Sequence, residues 1–369
     1  NPNVNVAIDE TKFPDANFRK YVADKFDKDG DGVLSAEEIE TVTEITLFDN
    51  ISHSKIEVSD LKGIEYFTNL ELLDCHTQNL KELDLSRNTS LKALDCRENQ
   101  LTTLDLSNNT ALTSLKCDNN QLTELDLSNN TELLALFCNE NQLTTLNVSK
   151  NTMLNRLECI KNKLTTIDTS NNTNLQTLMC DENQLTTIDI SNNTLLDYLG
   201  CNQNQLKTID ISKNEELDFL KCNNNQITSI DTHGRSLSLE IFDNAYEIAL
   251  TDNTFDLSTL PEGFDVTKAS NWTNAEVEGN ILTVIDDTKY VTYDYDCEKG
   301  ITLSFALFTK NNTDNQVPEK LDVVINQENF PDKAFRQYIT ERVDDDQNGR
   351  LSYSEAMGES IMPISESGI

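Results

Sequence analysis

Eight cysteines recur along the chain at a constant spacing of 21 residues. Each lies in the pattern L-x-x-L-x-C-x-x-N-x-L, followed by L-D-x-S-x-N-T, as Leu91, Leu94 and Cys96 show for one copy. This pattern is typical of leucine-rich repeats, in which each copy adds a short strand to a parallel sheet and cannot bury its apolar face alone. The sequence therefore predicts an α/β solenoid with eight repeats over residues 67–235. The cysteines are Cys75, Cys96, Cys117, Cys138, Cys159, Cys180, Cys201 and Cys222.

The cysteine spacing also predicts the state of the thiols. Parallel strands in register place the Cβ vectors side by side, whereas a disulfide needs two Cβ atoms about 3.8 Å apart with a twisted S–S dihedral. We expect buried thiols that act as small apolar side chains. A zinc site is the alternative, but it requires thiolates that converge on one point.

Two polar columns repeat with the same period. The asparagine of the L-x-C-x-x-N pattern should point inward and bond loop backbone groups that lack a sheet partner. The aspartate of the L-D-x-S pattern should accept backbone N–H groups in its own turn, with a ladder of bound cations as the alternative. The asparagines are Asn99, Asn120, Asn141, Asn162, Asn183, Asn204 and Asn225, with Gln78 in the first copy. The aspartates are Asp84, Asp105, Asp126, Asp168, Asp189, Asp210 and Asp231, with Asn147 interrupting.

The two ends of the chain resemble each other at an offset of 317 residues. Residues 13–21 read F-P-D-x-x-F-R-x-Y, and residues 330–338 repeat that pattern. Asp15 and Asp332 are suited to cap a helix N-terminus. Each predicted helix runs into a 12-residue acidic loop. These ends define an N-terminal helical cap over 1–66 and a second module of the same type over 317–369.

Both acidic loops match the EF-hand calcium pattern, which places oxygen ligands at positions 1, 3, 5, 7, 9 and 12 and glycine at position 6. An acidic loop without metal is the alternative at each end. Because the whole solenoid separates the loops, a structural role for calcium is favoured over a sensing role. The first loop offers Asp27, Asp29, Asp31, the Val33 carbonyl, Ser35 through water, and Glu38. The second offers Asp344, Asp346, Asn348, the Arg350 carbonyl, Ser352 and Glu355, with one acid fewer and hence weaker binding.

Residues 236–316 lose the 21-residue period and show short alternating segments instead. The clearest are 246–250, 281–285, 290–295 and 301–308, with turn residues between them. Such segments are typical of short strands in a β-sandwich. We expect an Ig-like domain here, with Cys297 as a lone cysteine.

Charge and hydropathy restrict the partners. The net charge of −35 disfavours nucleic acid and anionic membrane surfaces, which attract basic proteins. No apolar run reaches the roughly 18 residues of a membrane span. The sequence begins with Asn1 rather than methionine, which we interpret as removal of a leader, either by the cell or by design. We expect an extracellular or cell-surface location.

The segment from Leu61 to Leu70 (LKGIEYFTNL) resembles the entry from cap to first repeat in internalin-type surface proteins and related secreted leucine-rich-repeat proteins of gut bacteria. An internalin also has an Ig-like domain directly after its repeats. Two features differ: the repeat has 21 residues instead of the usual 22, and the cap has an intact calcium loop where the family's is degenerate. The resemblance implies adhesion or binding of a host protein. It indicates no particular partner, because the concave residues differ among members.

Three functions follow as hypotheses. The first is a monomeric binding protein that holds a protein or glycan on the concave face of the solenoid, and the second is a rigid spacer. A hydrolase is disfavoured, because only His53, His76 and His233 exist and none lies in a nucleophile motif. A spacer should have a polar concave face, yet the outward positions of the later strands are partly apolar. The predicted partner-binding residues are Phe137, Ile160, Met179, Tyr198 and Phe219, surrounded by Arg156, Glu158, Asp181 and Lys221.

Overall fold

The computed structural model describes residues 5–49, 54–235, 237–298, 301–312, 323–324 and 350–351. These residues divide into two compact units. The first extends to Ile241 and takes in Pro261–Gly263 and Cys297, and the second begins at Phe242. Among the described residues, no helix is long and apolar enough to cross a membrane.

The N-terminal cap consists of β1 (Val6–Ala7), α1 (Ala16–Phe26), β2 (Val33–Leu34) and α2 (Ala36–Glu40). The predicted cap of α1 is confirmed, because Asp15 Oδ1 accepts hydrogen bonds from the Asn17 and Phe18 amides, both at 2.9 Å. Strands β1 and β2 pair antiparallel, with Val6 opposite Leu34. The acidic loop, residues 27–38, therefore follows α1 directly and contains β2, which β1 holds in place.

Phe13 joins the cap to the first coil of the solenoid. Its buried ring lies 5.9 Å from the ring of Phe18 and 5.8 Å from that of Tyr66, centroid to centroid. Gly63 has a φ of +108°, and a Cβ there would lie 2.2 Å from the Phe13 ring. The glycine of the LKGIEYF segment is thus required both for its backbone conformation and for this close approach.

A ten-stranded parallel sheet forms the body of the first unit. Strand β3 (Glu44–Thr46) pairs with the first repeat strand, and the repeat strands pair in register with their successors. A short hairpin, β4 (Phe48–Asp49) with β5 (Ser54–Lys55), lies outside this sheet. The solenoid of stacked parallel strands is confirmed, with one further strand beyond each end of the eight predicted copies. The repeat strands are β6 (Leu72–Asp74), β7 (Ala93–Asp95), β8 (Ser114–Lys116), β9 (Ala135–Phe137), β10 (Arg156–Glu158), β11 (Thr177–Met179), β12 (Tyr198–Gly200), β13 (Phe219–Lys221) and β14 (Ser238–Glu240).

The cysteine column lies in the core of this unit. All nine cysteines are buried and none forms a disulfide, which confirms the prediction of buried thiols. Burial raises the pKa of Cys159 to about 12, because an apolar environment disfavours the thiolate. The column therefore fills space beside the leucines.

The predicted asparagine column is confirmed as a ladder of hydrogen bonds. Asn141 Nδ2 donates to the carbonyl oxygens of Cys117 at 3.0 Å and Asn139 at 3.1 Å, while its Oδ1 accepts from the Leu122 amide at 3.0 Å. Each such asparagine joins its own loop to the preceding repeat. The prediction for the aspartates is confirmed as well, since each accepts the amide two residues later, at 2.9 Å from Ser107 to Asp105 and at 2.7 Å from His233 to Asp231.

A second buried asparagine ladder was not predicted. It uses the asparagine of the L-D-x-S-x-N-T half of the repeat. Asn130 Nδ2 donates to the carbonyl oxygens of Leu106 at 3.1 Å and Asn109 at 2.9 Å, both in the preceding repeat. The repeats are therefore joined at two edges by side-chain amides. The members are Asn88, Asn109, Asn130, Asn151, Asn172, Asn193 and Asn214.

Apart from the two C-terminal strands given below, the described part of the second unit contains seven strands in two sheets. Four strands form a mixed sheet in the order β15-β21-β20-β17, and three form the antiparallel sheet β16-β19-β18. The first sheet carries a buried aromatic cluster, in which the Trp272 and Tyr293 rings stack at 4.5 Å. The strands are β15 (Ala245–Glu247), β16 (Thr254–Asp256), β17 (Ala269–Thr273), β18 (Ala275–Glu278), β19 (Ile281–Val284), β20 (Val291–Asp296) and β21 (Thr302–Phe308).

Two short strands are described within the C-terminal module. Strand β22 (Val323–Val324) pairs antiparallel with β23 (Arg350–Leu351), with Val323 opposite Leu351. This register is that of β1 with β2, displaced by the same 317 residues that separate the sequence motifs. The other predicted ligands of the second loop, Asp344, Asp346, Asn348, Ser352 and Glu355, lie outside the described residues.

Replacement of Asn130 by alanine should destabilise the solenoid strongly. It would remove two buried hydrogen bonds and leave the carbonyl oxygens of Leu106 and Asn109 with one backbone donor each, at a cost of about 0.5–1.5 kcal/mol for each lost bond. The matched control is Asn129→Ala, which removes an exposed side chain that makes one 3.2 Å bond to the Ser107 carbonyl. Urea unfolding followed by circular dichroism should show a lower midpoint for the first variant only. Equal midpoints would contradict a stabilising role for the second ladder.

Candidate functional site

The first acidic loop is closed by its own carboxylates. Asp27 accepts the Gly30 amide at 2.8 Å through Oδ1 and the Gly32 amide at 2.9 Å through Oδ2. Gly30 and Gly32 have φ values of +72° and +82°, a region that glycine enters without strain. The loop therefore turns tightly around the Asp27 side chain.

Glu38, at position 12 of the loop, is buried and held at both oxygens. Its Oε1 accepts the Lys28 amide at 2.7 Å, and its Oε2 accepts the amide and the hydroxyl of Ser35, both at 2.8 Å. Ser35 in turn caps α2. These bonds, led by that from the Ser35 amide, lower the pKa of Glu38 from 4.5 to about 2. The carboxylate is thus charged and fixed in position.

Three acids converge in this loop. Carboxylate oxygens of Asp27, Asp29 and Glu38 all lie within 4.8 Å of one another. Asp31 is outside this trio, and its Oδ1 accepts the Val33 amide at 2.8 Å. Three like charges at this separation repel, and a divalent cation between them would remove that repulsion. The all-oxygen set fits calcium in chemistry and in spacing.

A second cluster of possible ligands lies on the first repeats, where oxygens of Asp74 and Asp95 approach His76. His76 Nδ1 is 2.5 Å from Asp74 Oδ1. Arg97 binds both oxygens of Asp95 at 2.8 Å. Because a guanidinium already neutralises Asp95, this cluster is less suited to a metal than the loop.

The outward residues of β6–β14, with the residues that flank them, form a surface that we call the strand face. In most repeat strands the central leucine is buried and its two neighbours are half-exposed. Tyr198 and Phe219 are adjacent on this face, with ring centroids 6.0 Å apart, and Phe219 is 48% exposed. A shallow cavity of about 240 Å³ opens beside them, lined by Arg156, Thr177, Met179, Asp197, Tyr198, Asp218 and Phe219.

Phe137 is already engaged within the chain. The Lys116 Nζ lies 5.7 Å and the Arg156 Cζ 5.4 Å from its ring centroid. Arg156 also forms a 2.6 Å ion pair with the buried Glu158, and Glu158 accepts from Asn139 Nδ2 at 3.1 Å. Arg156 thus connects Phe137 to the cavity that contains Tyr198 and Phe219.

The remaining predicted partner-binding residues have bonds inside the chain. Asp181 Oδ1 accepts the Asn202 amide at 3.0 Å, and burial raises the pKa of Asp181. A Cβ on Gly200 would lie 2.7 Å from Asp181 Oδ2, so the glycine makes room for this carboxylate. Lys221 forms a 2.9 Å ion pair with Glu240. Ile160 is half-buried and occupies the same position in its repeat as Asp181 does in the next one.

Two further residues that line the cavity, Asp197 and Asp218, were not predicted from the sequence. Both are exposed and directly precede the aromatic residues Tyr198 and Phe219. The sequence does distinguish these two repeats. The residue directly before the repeat strand is acidic in them, whereas in the three preceding repeats it is apolar or neutral, at Leu134, Asn155 and Gln176.

A part of the chain is similar in sequence to an internalin. Over 77 residues it is 40% identical to Internalin J of Listeria monocytogenes, a match that spans 21% of this chain and 8% of that protein. No protein-family model matches the chain. The chain is thus similar to a small part of a longer relative.

Solved structures that resemble the chain are also leucine-rich-repeat proteins. One from Leptospira interrogans has a TM-score of 0.48 at 25% identity and covers 52% of each chain. A functional domain of Listeria monocytogenes InlJ, described as including a cysteine ladder, has a TM-score of 0.32 at 23% identity over 84% of this chain and 99% of that one. Internalin C2 of the same species gives 0.46 at 21% identity, over 61% and 91%. None of these scores reaches 0.5, and none of these likenesses indicates a ligand for this chain.

Replacement of Glu38 by glutamine should lower the melting temperature of the calcium-free chain at pH 7. The folded-state pKa of Glu38, about 2, is below the ordinary glutamate value of 4.5, so its stabilisation is present above pH 4.5 and is lost as the pH falls toward 2. The difference between wild type and variant should therefore shrink over that range. Glu37→Gln, at an exposed position, is the control. A difference that persists unchanged at the lowest pH would contradict this account.

Proposed function

We propose that this chain is an extracellular or cell-surface binding protein that holds a protein ligand, or alternatively a glycan, on its strand face. The observation that carries the proposal is the cluster of Met179, Tyr198 and Phe219 at one cavity of that face. Apolar clusters rimmed by charge mark interaction sites on soluble proteins. Aromatic side chains are also the commonest binding hot spots.

The likeness to Internalin J over 77 residues supports this proposal and the extracellular location, through the expected adhesive role of internalin-type proteins. The alternative is a rigid spacer that displays other modules. The two asparagine ladders suit a spacer equally well, because both functions need a stiff solenoid. A spacer has no use for half-exposed aromatic rings in its face, and for this reason we favour binding.

Calcium in the first loop is the second part of the proposal. Asp27, Asp29 and Glu38 supply the converging carboxylates, and Asp31, the Val33 carbonyl and a water held by Ser35 complete the shell. Bound calcium would join the end of α1 to β2 and α2, and so stiffen the cap that Phe13 anchors. The equal register of β1–β2 and β22–β23 supports a second, weaker site at Asp344–Glu355.

The second unit is proposed to be Ig-like. Its seven strands in sheets of four and three match the number in constant-type Ig domains. The parallel pairing of β15 with β21 departs from a purely antiparallel sandwich.

Calcium should bind with a dissociation constant on the order of 10⁻⁴–10⁻³ M, as in other extracellular modules. Binding to the folded chain alone should raise its melting temperature by linkage. Titration calorimetry should show that Glu38→Gln removes the stronger site and Glu355→Gln the weaker one, with Glu37→Gln as the matched control. No heat of binding at millimolar calcium would overturn both sites.

The double variant Tyr198→Ser, Phe219→Ser should weaken ligand binding at least tenfold, about 1.4 kcal/mol, without unfolding the chain. The measurement is biolayer interferometry against a panel of matrix proteins, mucins and glycans, with and without calcium. The control is Met153→Ser, Leu195→Ser, which removes two exposed apolar side chains outside the strands. Unchanged affinity of the Tyr198→Ser, Phe219→Ser variant would show that the ligand does not bind on the strand face. A panel with no binder to the wild type would favour the spacer.

A further inference from the structure

The aromatic residues of the strand face differ in their surroundings. Phe137 has two cations of its own chain against its ring, Lys116 and Arg156. Within the described part of the chain, no lysine or arginine lies over the ring of Tyr198 or Phe219. Phe137 therefore has cations of its own chain over its ring, whereas at the Tyr198–Phe219 pair Lys221 bonds the Tyr198 side chain and leaves both ring faces without a cation.

Two carboxylates accompany this second pair. Asp197 and Asp218 lie on adjacent strand ends, joined by a 2.9 Å bond from the Asp218 amide to the Asp197 carbonyl. Both are exposed, both line the cavity, and neither side chain has an ion pair or hydrogen bond to another described residue. The nearby cations are already engaged: Arg156 with Glu158 at 2.6 Å and Lys221 with Glu240 at 2.9 Å.

We propose that this cavity receives a lysine or arginine side chain of a protein ligand. The cation would lie against the Tyr198 and Phe219 rings, with the Asp197 and Asp218 carboxylates beside it. Aromatic faces attract cations, and a charged donor forms its strongest hydrogen bonds with carboxylates. This inference rests on the proposed binding function and specifies the ligand as a protein with an exposed basic residue.

The volume of the cavity and the net charge of the chain restrict the class of ligand further. The cavity, at about 240 Å³, is smaller than the roughly 300–1,000 Å³ of typical small-molecule sites, and suits one side chain. The chain's net charge of −35 would draw a basic partner toward it and repel polyanions such as nucleic acids and sulfated glycans.

Methionine methyl groups provide a direct readout. The chain has four methionines, of which Met179 lines the cavity and Met153 is 44% exposed outside it. We would label the methyl groups with ¹³C in the full-length chain and titrate the capped peptides GGRGG and GGKGG. Control peptides would carry citrulline or norleucine at the central position. The Met179 signal should shift and saturate at millimolar basic peptide, while the Met153 signal stays in place and the neutral peptides have at least tenfold weaker effects.

Matched variants test the role of the carboxylates. Asp197→Asn, Asp218→Asn should reduce the affinity for the basic peptides at least tenfold. Glu215→Gln, Glu216→Gln removes the same number of charges from exposed positions outside the cavity and should leave the affinity unchanged. Equal shifts with the citrulline peptide, no Met179 shift at millimolar peptide, or full affinity in the Asp197→Asn, Asp218→Asn variant would each overturn the proposal.

The failures of the two proposals are distinguishable. If a protein from the panel loses affinity in the Tyr198→Ser, Phe219→Ser variant while basic peptides do not move Met179, the strand face binds a ligand by other chemistry and only this inference is wrong. If the Tyr198→Ser, Phe219→Ser variant binds every panel ligand as the wild type does, the proposed function itself is wrong.

Discussion

The hydrogen bonds of buried asparagine side chains are the interaction on which the solenoid depends. Each repeat strand contributes only three residues to the sheet, so most backbone groups of a repeat have no strand partner. The first asparagine of each repeat supplies missing bonds, as Asn141 shows, and the second adds bonds to carbonyl oxygens that already accept one backbone amide, as Asn130 shows. Buried carbonyl and amide groups without partners are destabilising. The first ladder therefore satisfies the loop backbone, and the second adds further bonds between neighbouring repeats.

A sheet held at both edges fixes the side chains of its strand face. Neighbouring parallel strands lie about 4.8 Å apart, and Tyr198 and Phe219 stand on adjacent strands with rings 6.0 Å apart. Their geometry is thus determined before any ligand arrives, and pre-organisation lowers the entropic cost of binding. The cap at the N-terminus closes the first coil through Phe13, and a calcium ion in its loop would stiffen that closure.

The repeat architecture could be predicted because its signal is periodic. The spacing of the leucines and cysteines determined the core, and the Asn99 column followed from unpaired loop backbone. The second ladder could not be derived in this way, because its asparagines bond carbonyl oxygens 21 and 24 residues earlier, a distance set by how the loops stack. The alternation of apolar and polar residues over 236–316 also did not indicate that β15 and β21 pair in parallel.

The binding surface could be predicted only in part, because periodicity gives the direction of a side chain and not its contacts. The outward positions of the strands follow from alternation, which identified Phe137, Tyr198 and Phe219. Contacts within and between repeats decide which of these side chains remain available for a ligand. Asp181 bonds an amide of the next repeat, and Arg156 pairs with Glu158 of its own strand. Such pairings depend on side-chain conformations that a single sequence does not contain.

Pulsed alkylation of the thiols, followed at each cysteine by peptide mass spectrometry, tests most directly whether the repeats form one continuous, ladder-held core. Every repeat from the first to the eighth carries one buried cysteine, and burial makes the reactive thiolate scarce. Without denaturant, all eight should be protected, and in urea they should become reactive over one narrow range of concentration. Rapid labelling of any of them in the native chain, or a disulfide between neighbouring repeats, would contradict this account.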